Sequence, residues 1–421
     1  MLSAAEVRSV ASKLLAAREQ GLRRRPIDEL LGALSSAVEA WFSPDSEFRC
    51  RCESELPAAT GFSPAMIRHG LPLMLAPLRG DAVGRLLDRE LGSRVRLDHL
   101  TSPGLILHIV AGNIPALAAA PLVLSLAIRS AALIKASHAD EVFPSCFIES
   151  LRQVDESLAA CAAALYWPGG RLDIEAAAFD AADLVVASGD DRTIADIARR
   201  VPNRFIGHGH RISFAAIACE ALADAAAVAH RLAYDVALWD QQGCLSPQLA
   251  YVERGGALSV EQFAAVVAEQ SAKFADELSP RRLTRDEDAA IVGFRQEAEW
   301  RAVRGEEVTV FASPGDLRWT VVYDASAVFV PTPLNRTIWI KPVDALGELL
   351  TLLAPARAYL EAVGLCAPAH RCDELTDLLH RAGVHRVCPL GDMQRPDLSW
   401  RPGGRPRVAE WLTGQQAGDE R

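Results

Sequence analysis

No basic stripe with interleaved aromatics runs through these 421 residues, and the formal charge is −10. Both facts exclude the electrostatic footprint of a nucleic-acid binder. The one short basic cluster, "LRRRP" at 22–26, reads as a solvated helix end. An apolar h-region is missing as well. The N-terminus, "MLSAAEVRSVASKLLAAREQ", alternates charged and apolar residues in helical fashion, so a secretory signal is not expected. Paired C-x-x-C ligand sets are absent. Cys50-x-Cys52, and Cys366 with His370 and Cys372, come nearest to metal spacing, and neither supplies two ligand pairs, so no metal site is expected. Nine cysteines, an odd number, without an export signal point to reduced thiols and a cytoplasmic protein.

What is present is an ordinary globular mixture, 50% hydrophobic and 23% charged, long enough for two or three domains. The longest charge-free run, "ILHIVAGNIPALAAAPLVLSLAI" at 106–128, has the length of a membrane span. Gly112, Asn113 and Pro115 break it after a β-branched, strand-like piece, with Pro115 where a helix would start and Pro121 inside that helix. A second apolar strand, "AALIKAS" (131–137), follows at once. Strand, tight turn, buried helix and strand form a βαβ unit covered on several sides, and no membrane span is expected.

Residues 1–90 read as helices with polar connections. From 91 to 212 strands and helices alternate, including "ALYWPG" and "DLVVASGD" as strands and "RTIADIARRV" as a helix. That alternation predicts an α/β fold with a doubly wound parallel sheet of the nucleotide-binding kind. A second α/β region spans 213–390, and a Pro/Gly-rich tail with a short terminal helix fills 391–421. No internal repeat stands out.

Two residues carry chemistry in pointed contexts. Cys244 lies in "WDQQGCLSP", a helix exit in which Gly243 permits close backbone approach to a ligand. Asn113 is an amide in an apolar strand-to-helix turn, where it either bonds its own backbone or offers an N–H to a developing oxyanion. Composition alone leaves open whether the first is a nucleophile or an inert thiol, and the second a catalyst or a turn-former.

"HIVAGNIPALAAAPLVLSLAIRSAALIKAS" resembles the aldehyde dehydrogenase superfamily segment that runs from an asparagine-bearing turn to a cofactor-binding lysine. "FIGHGHRISFAAI", "DVALWDQQGCLSPQLAYVE" and "GVHRVCPLGDMQRPDLSWRPGGRP" resemble its acyl-CoA and acyl-protein reductase branch, the LuxC-like fatty acid reductases of bacterial bioluminescence. The resemblance is densest over 104–255 and returns at 383–412. It implies an aldehyde dehydrogenase-like fold: a Rossmann-type cofactor domain that includes the helical N-terminus, an α/β catalytic domain, and a tail packing back on the cofactor or oligomer side. It also implies that Cys244 attacks an acyl thioester to give an acyl-cysteine, with Asn113 and the Cys244 N–H as oxyanion donors. Lys135 would contact the adenosine ribose. Where NAD-preferring relatives carry a glutamate three residues later this chain has His138, and Lys135, Ser137 and His138 would accommodate a 2′-phosphate, so NADPH is expected, with NADH the alternative. Ser188 and Gly189 fall near the cofactor pyrophosphate, with Asp190 and Asp191 unwelcoming to phosphate unless turned away.

Two departures sharpen the reading. No carboxylate lies between Phe205 and Cys219, where oxidising members carry the base that hydrolyses the acyl-enzyme, which favours a reductase. In its place His208 and His210, expected on one strand face, are candidates for proton donor or thiolate partner, or are simply packed. There is also no good match to the segment that contacts the nicotinamide ribose; "VFVPTPLNRTIW" (328–339) offers Pro333, Asn335 and Arg336 instead. The implied activity is NADPH-dependent reduction of an acyl thioester, on CoA or on a carrier or synthetase, to an aldehyde. A homo-oligomer and an acyl-activating partner protein fit the same resemblance. An acyl-transfer enzyme that uses the cysteine without hydride, and a non-catalytic acyl-binding partner subunit, remain alternatives.

Overall fold

A computed structural model describes residues 2–414. The chain forms two compact units: one from residues up to 60, 67–210 and the stretch from 397 on, the other from 61–66 and 211–396. The units change over at 210/211 and 396/397, against expected boundaries at 212/213 and 390/391. Residues 391–396 stay with the second unit because the buried Asp235 carboxylate accepts the Gly391 and Met393 N–H groups.

The first unit begins with helices α1 (Ala4–Ala17), α2 (Ile27–Glu39), α3 (Glu47–Thr60), α4 (Pro64–Leu75, begun in the second unit) and α5 (Ala82–Leu91). A Ser3/Glu6 capping box starts α1. Helix α3 lies in the stretch expected to be helical, although its local signal is poor. Its apolar pattern is weak and it contains Pro57, but the i,i+4 pairs Arg49–Glu53 and Arg51–Glu55 support it.

Then come β1 (Leu100–Thr101), β2 (Leu105–Ile109), α6 (Ala119–Ala127), β3 (Ala131–Ala136), α7 (Val142–Val154), α8 (Glu156–Ala159), β4 (Ala162–Tyr166), α9 (Leu172–Ala181), β5 (Leu184–Ser188), α10 (Asp191–Arg200) and β6 (Arg204–His208). Strands β2 to β6 form a parallel sheet in the order β4-β3-β2-β5-β6. Its strands are apolar because helices cover them. Leu105, Leu107, Leu133 and Val185 pack with Val7, Ala11 and Leu14 of α1 and Phe179 of α9, while α6 and α7 lie against β3 and β4. The strand order reverses between β2 and β5, where doubly wound sheets bind ligands beyond the strand C-termini.

The second unit contains β7 (Ile212–Ile217), α11 (Ala225–Ala237), β8 (Pro247–Glu253), α12 (Val260–Glu277), α13 (Arg285–Val303), β9 (Val308–Ala312), β10 (Thr320–Asp324), β11 (Thr337–Val343), α14 (Leu349–Leu352), β12 (Leu360–Cys366), α15 (Ala369–Ala382) and β13 (Arg386–Pro389). Its seven-stranded sheet runs β13-β12-β7-β8-β11-β10-β9, parallel except for the edge strand β9. Phe214, Leu249, Tyr251, Trp339 and Val363 centre its core.

The tail returns to the first unit, where β14 (Thr413–Gly414) pairs antiparallel with β1. Glu90 at the end of α5 accepts the N–H groups of Arg407, Val408 and Ala409. Those bonds hold residues 407–411 in turns, so the short terminal helix is not found there; the rest of that expected segment lies outside the described residues.

The charge-free run resolves into β2, a turn and α6, and no helix among the described residues is long and apolar enough to cross a membrane. Helix α6 starts at Ala119 rather than at Pro115. Pro121 therefore lies in its first turn, where a missing N–H costs nothing, and gives no interior kink.

Candidate active site

In the first unit the candidate residues gather at the carboxyl edge of the parallel sheet. Asn113 is exposed in the turn after β2, and Ser188 and Gly189 end β5, so the two strands that flank the reversal of order carry these two sites. Lys135 is in β3, with Ser137 and His138 just beyond. A Cβ at Gly112 would stand 2.6 Å from the Cβ and Oγ of Ser137, so the turn lies directly on the end of β3. Only glycine allows that approach.

The turn is held from an unexpected position. Ala116 has φ +63°, a left-handed conformation. Asp140 stabilises it by accepting the Ala116 N–H at 2.9 Å, and its other oxygen accepts the Phe143 N–H at the start of α7. Burial pushes the Asp140 carboxyl up to about 6. This is why α6 begins late. The only local signal for it was an aspartate shortly before a helical run.

Lys135 is half-buried, and that burial pulls its ammonium below the ordinary lysine range; the Nζ lies 5.9 Å from the centroid of the Tyr166 ring. His138 is exposed, stands beside the same ring, and has Nδ1 3.5 Å from Glu141. The Ser137 hydroxyl accepts the Asp140 N–H.

Both aspartates after Gly189 are engaged. Asp190 caps α10 by accepting the Thr193 N–H and hydroxyl, each at 2.8 Å. Asp191 accepts the His210 N–H at 2.9 Å. The amide end of α10 is thereby closed by a carboxylate, so Ser188 and Gly189 would meet a phosphate without that helix terminus.

His208 is the last residue of β6, paired with Ser188, and its carbonyl accepts the Gly189 N–H. His210 lies beyond the strand, contrary to the expectation of a shared strand face. The Asp191 contact draws the chain out of register after His208; a Cβ at Gly209 would stand 2.3 Å from Asp191 Oδ1.

In the second unit Cys244 is exposed, in a turn that leads into β8. The Ser246 N–H bonds to the Gly243 carbonyl, so that carbonyl points into the turn. In a trans peptide the N–H opposes the C=O, so the Cys244 N–H faces away from the turn's interior. The Cys244 carbonyl accepts the Ser213 hydroxyl at 2.7 Å, and Ser213 Oγ in turn accepts the Ala362 N–H of β12. From the other side Gln394 donates to Ser246 Oγ, and its Oε1 would lie 3.2 Å from a Cβ at Gly243. Ser213 and Gln394 had not been singled out from the sequence. Gln394 sits in "GDMQRPD", a segment whose resemblance was visible but whose role was not.

Upstream, Trp239, Asp240 and Gln241 all have positive φ, as do Leu334, Asn335 and Arg336. The two triplets hold each other. Arg336 and Asp240 form a fully buried ion pair at 2.6 Å. Gln241 donates to the Pro247 and Thr337 carbonyls and accepts the Thr337 N–H. Gln242 donates to Asn335. Pro333, Asn335 and Arg336 thus lie in a segment bonded to the loop that precedes Cys244, and Arg336 is committed to Asp240.

One cluster of metal-ligand residue types occurs among the described residues: Cys219, Glu220 and Glu253. Arg371 closes it, bonding Glu253 at 2.6 Å and Glu220 at 2.9 Å and holding the Glu253 carboxyl down at about 2. The cluster is an ion-pair network.

This geometry has relatives. Long-chain acyl-protein thioester reductase 2 of Photobacterium leiognathi is 22% identical over 386 residues, covering 87% of this chain and 77% of its own. The long-chain acyl-protein thioester reductase of Aliivibrio fischeri is 24% identical over 384 residues, with the same coverage. Among solved structures, the NADP-dependent glyceraldehyde-3-phosphate dehydrogenase of Bacillus halodurans, complexed with NADP, superposes with a TM-score of 0.71 at 16% identity, over 92% of this chain and 83% of that one. An NAD-dependent benzaldehyde dehydrogenase from Corynebacterium glutamicum gives 0.69 at 14% identity, over 98% and 90%. The fold is that of the aldehyde dehydrogenases. With residues 22–404 matching the profile of the acyl-CoA reductase (LuxC) family, the chain belongs to that family.

Proposed function

We propose that this chain reduces an acyl thioester, carried by CoA or by a protein, to the aldehyde through an acyl-Cys244 intermediate. The observation that carries the reading is the Cys244 turn: an exposed thiol, a carbonyl pinned by Ser213, and an amide N–H turned outward. Family membership and the names of the relatives support it.

In this reading Cys244 Sγ attacks the thioester carbonyl as a thiolate. The π electrons move to oxygen, and their return expels the donor's thiolate and leaves the acyl group on Cys244. The Cys244 N–H and the Asn113 side-chain amide are donors to the developing oxyanion. With no carboxylate between Phe205 and Cys219, the chain lacks the acidic side chain that would activate water there, which favours an acyl-enzyme that persists. A reduced nicotinamide, when bound at the first sheet's carboxyl edge, would supply the hydride that the acyl carbon needs. The resulting thiohemiacetal oxyanion on Cys244 then collapses to the aldehyde and frees the thiolate. His208 and His210 are the groups we assign to supplying the proton that returns a departing thiolate to the thiol.

The carboxyl edge of the first sheet suits such a cofactor, with the exposed turn at Gly112 and Asn113, a half-buried cation in Lys135 and exposed His138. Lys135 would meet the adenosine ribose, with Ser137 and His138 beside its 2′ position and Ser188 and Gly189 toward the pyrophosphate. An imidazole at 138, where a carboxylate would repel a 2′-phosphate, favours NADPH over NADH.

The test is NADPH oxidation over a panel of acyl thioesters, with the aldehyde identified by mass spectrometry. Cys244→Ala should abolish turnover and the acyl adduct while cofactor binding persists. Full activity in that variant would remove Cys244 from the mechanism, and an adduct that never yields aldehyde would turn the reading to acyl transfer.

A further inference from the structure

The second unit carries an open cavity of about 400 Å³ to which the proposed reaction steps assign no role. Arginines dominate its lining: Arg281, Arg282, Arg285, Arg318 and Arg336, with Asp240, Asp288 and Asn335 as the polar balance. In a chain of net charge −10 such a concentration of guanidinium is locally specific.

Three of the five arginines are committed. Arg336 is paired with Asp240, Arg318 with Asp276 and Asp316, and Arg281 with Glu287. Two are not. Arg282 and Arg285 are exposed and in no ion pair among the described residues; Asp288 in the same lining is unpaired as well, so the two arginines leave the wall with a net positive charge of one. Arg281 adds a donor of a different kind. Its Nε is buried and without an acceptor, although its backbone N–H and Nη2 are bonded to Asp240 and Asn335. A buried guanidinium N–H left without an acceptor carries a desolvation cost that an anionic ligand would relieve. Several guanidinium groups lining one cavity suit an anion with more than one charged oxygen.

We infer that this cavity is a binding site for the pyrophosphate of a nucleotide-linked ligand, with Arg282 and Arg285 as the charge-bearing contacts and Arg281 as the inner donor. Of the ligands of the proposed reaction, the reduced dinucleotide has its pyrophosphate assigned to Ser188 and Gly189 in the first unit, which leaves a coenzyme A thioester for this site; naming that ligand rests on the proposed reaction, whereas the anion site does not. The site is wired to the nucleophile loop. Asn335 Oδ1 accepts from Arg281 Nη2 and from Gln242 Nε2, each at 2.9 Å, and Gln242 is two residues before Cys244. An anion that draws on the Arg281 guanidinium therefore acts on a residue already bonded to that loop.

Calorimetric titration of the full chain with inorganic pyrophosphate at low salt reads the site without any catalysis. The Arg282→Ala/Arg285→Ala double variant should bind pyrophosphate at least tenfold more weakly, with an unchanged thermal midpoint because both side chains are exposed. Parallel titrations with coenzyme A and with NADPH test the ligand: the Kd of coenzyme A should rise at least tenfold in the double variant, and that of NADPH should not change. The inference is overturned if the full chain does not bind pyrophosphate, if the double variant binds it equally well, or if coenzyme A keeps its affinity or NADPH loses its own. Should Cys244→Ala show that the reductase reading is wrong, the pyrophosphate titration still stands or falls by itself.

Discussion

The Gln394 carboxamide donates to the Ser246 hydroxyl at 2.5 Å, two residues beyond Cys244. That bond ties the segment after β13 to the turn that presents the thiol. Loss of a buried hydrogen bond of this kind costs about 1–3 kcal/mol. Gln394→Ala should slow acylation of Cys244 about tenfold and lower kcat with little change in KM. Ser246→Ala/Gln394→Ala should be hardly worse than either single variant, because both remove the same bond. Stopped-flow measurement of thiol release decides, and an unchanged acylation rate would show that Gln394 only fills space.

The segment that carries Gln394 depends on Asp235, whose fully buried carboxyl is pushed up to about 7 by desolvation against the pull of two backbone N–H groups. A folded-state value above the unfolded one means that the native chain binds the extra proton. Its stabilising effect is complete below about 4 and is lost as the pH rises to about 7. Relative to Asp235→Asn, the wild-type chain should lose stability between pH 4 and 7, on the order of a few kcal/mol. Urea midpoints of both proteins at four pH values in that window test this; parallel curves would refute it.

Gly112 and Ser137 are in contact too close for any side chain at 112. Gly112→Ala should displace the turn that carries Asn113, cost about 1–3 kcal/mol and weaken NADPH binding at least tenfold. Adding Ser137→Gly should recover most of that loss, measured against Ser137→Gly alone by fluorescence titration. A Gly112→Ala chain that binds normally would separate this turn from the cofactor.

The Asp240–Arg336 pair is buried on all sides, with burial raising the acid's pKa and lowering the base's. Arg336→Met leaves Asp240 without its buried cation and should destabilise the second unit by about 3–5 kcal/mol. Asp240→Leu/Arg336→Met should be less destabilised than the single variant. Guanidinium denaturation gives both numbers, and additive losses would mean that the pair is not coupled.

The alternation of β2, α6, β3 and the later elements was legible because buried strands and helices leave strong local patterns. The start of α6 was not, since it is set by Asp140 reaching back 24 residues to the Ala116 N–H. The shared facing of His208 and His210 failed for a similar reason: Asp191, from another element, takes the His210 N–H. Cys244 and Asn113 stood out by context. Ser213 and Gln394 act through bonds to residues far along the chain and left no local mark.

The paired triplets Trp239–Gln241 and Leu334–Arg336 place six non-glycine residues in left-handed backbone, each unfavourable by about 1–2 kcal/mol. Neither triplet can be sustained until β8 and β11 are side by side, because Gln241 bonds the Pro247 and Thr337 carbonyls that begin them. The loop that leads to Cys244 therefore takes its shape only together with the β8–β11 pairing, which joins segments far apart in the chain.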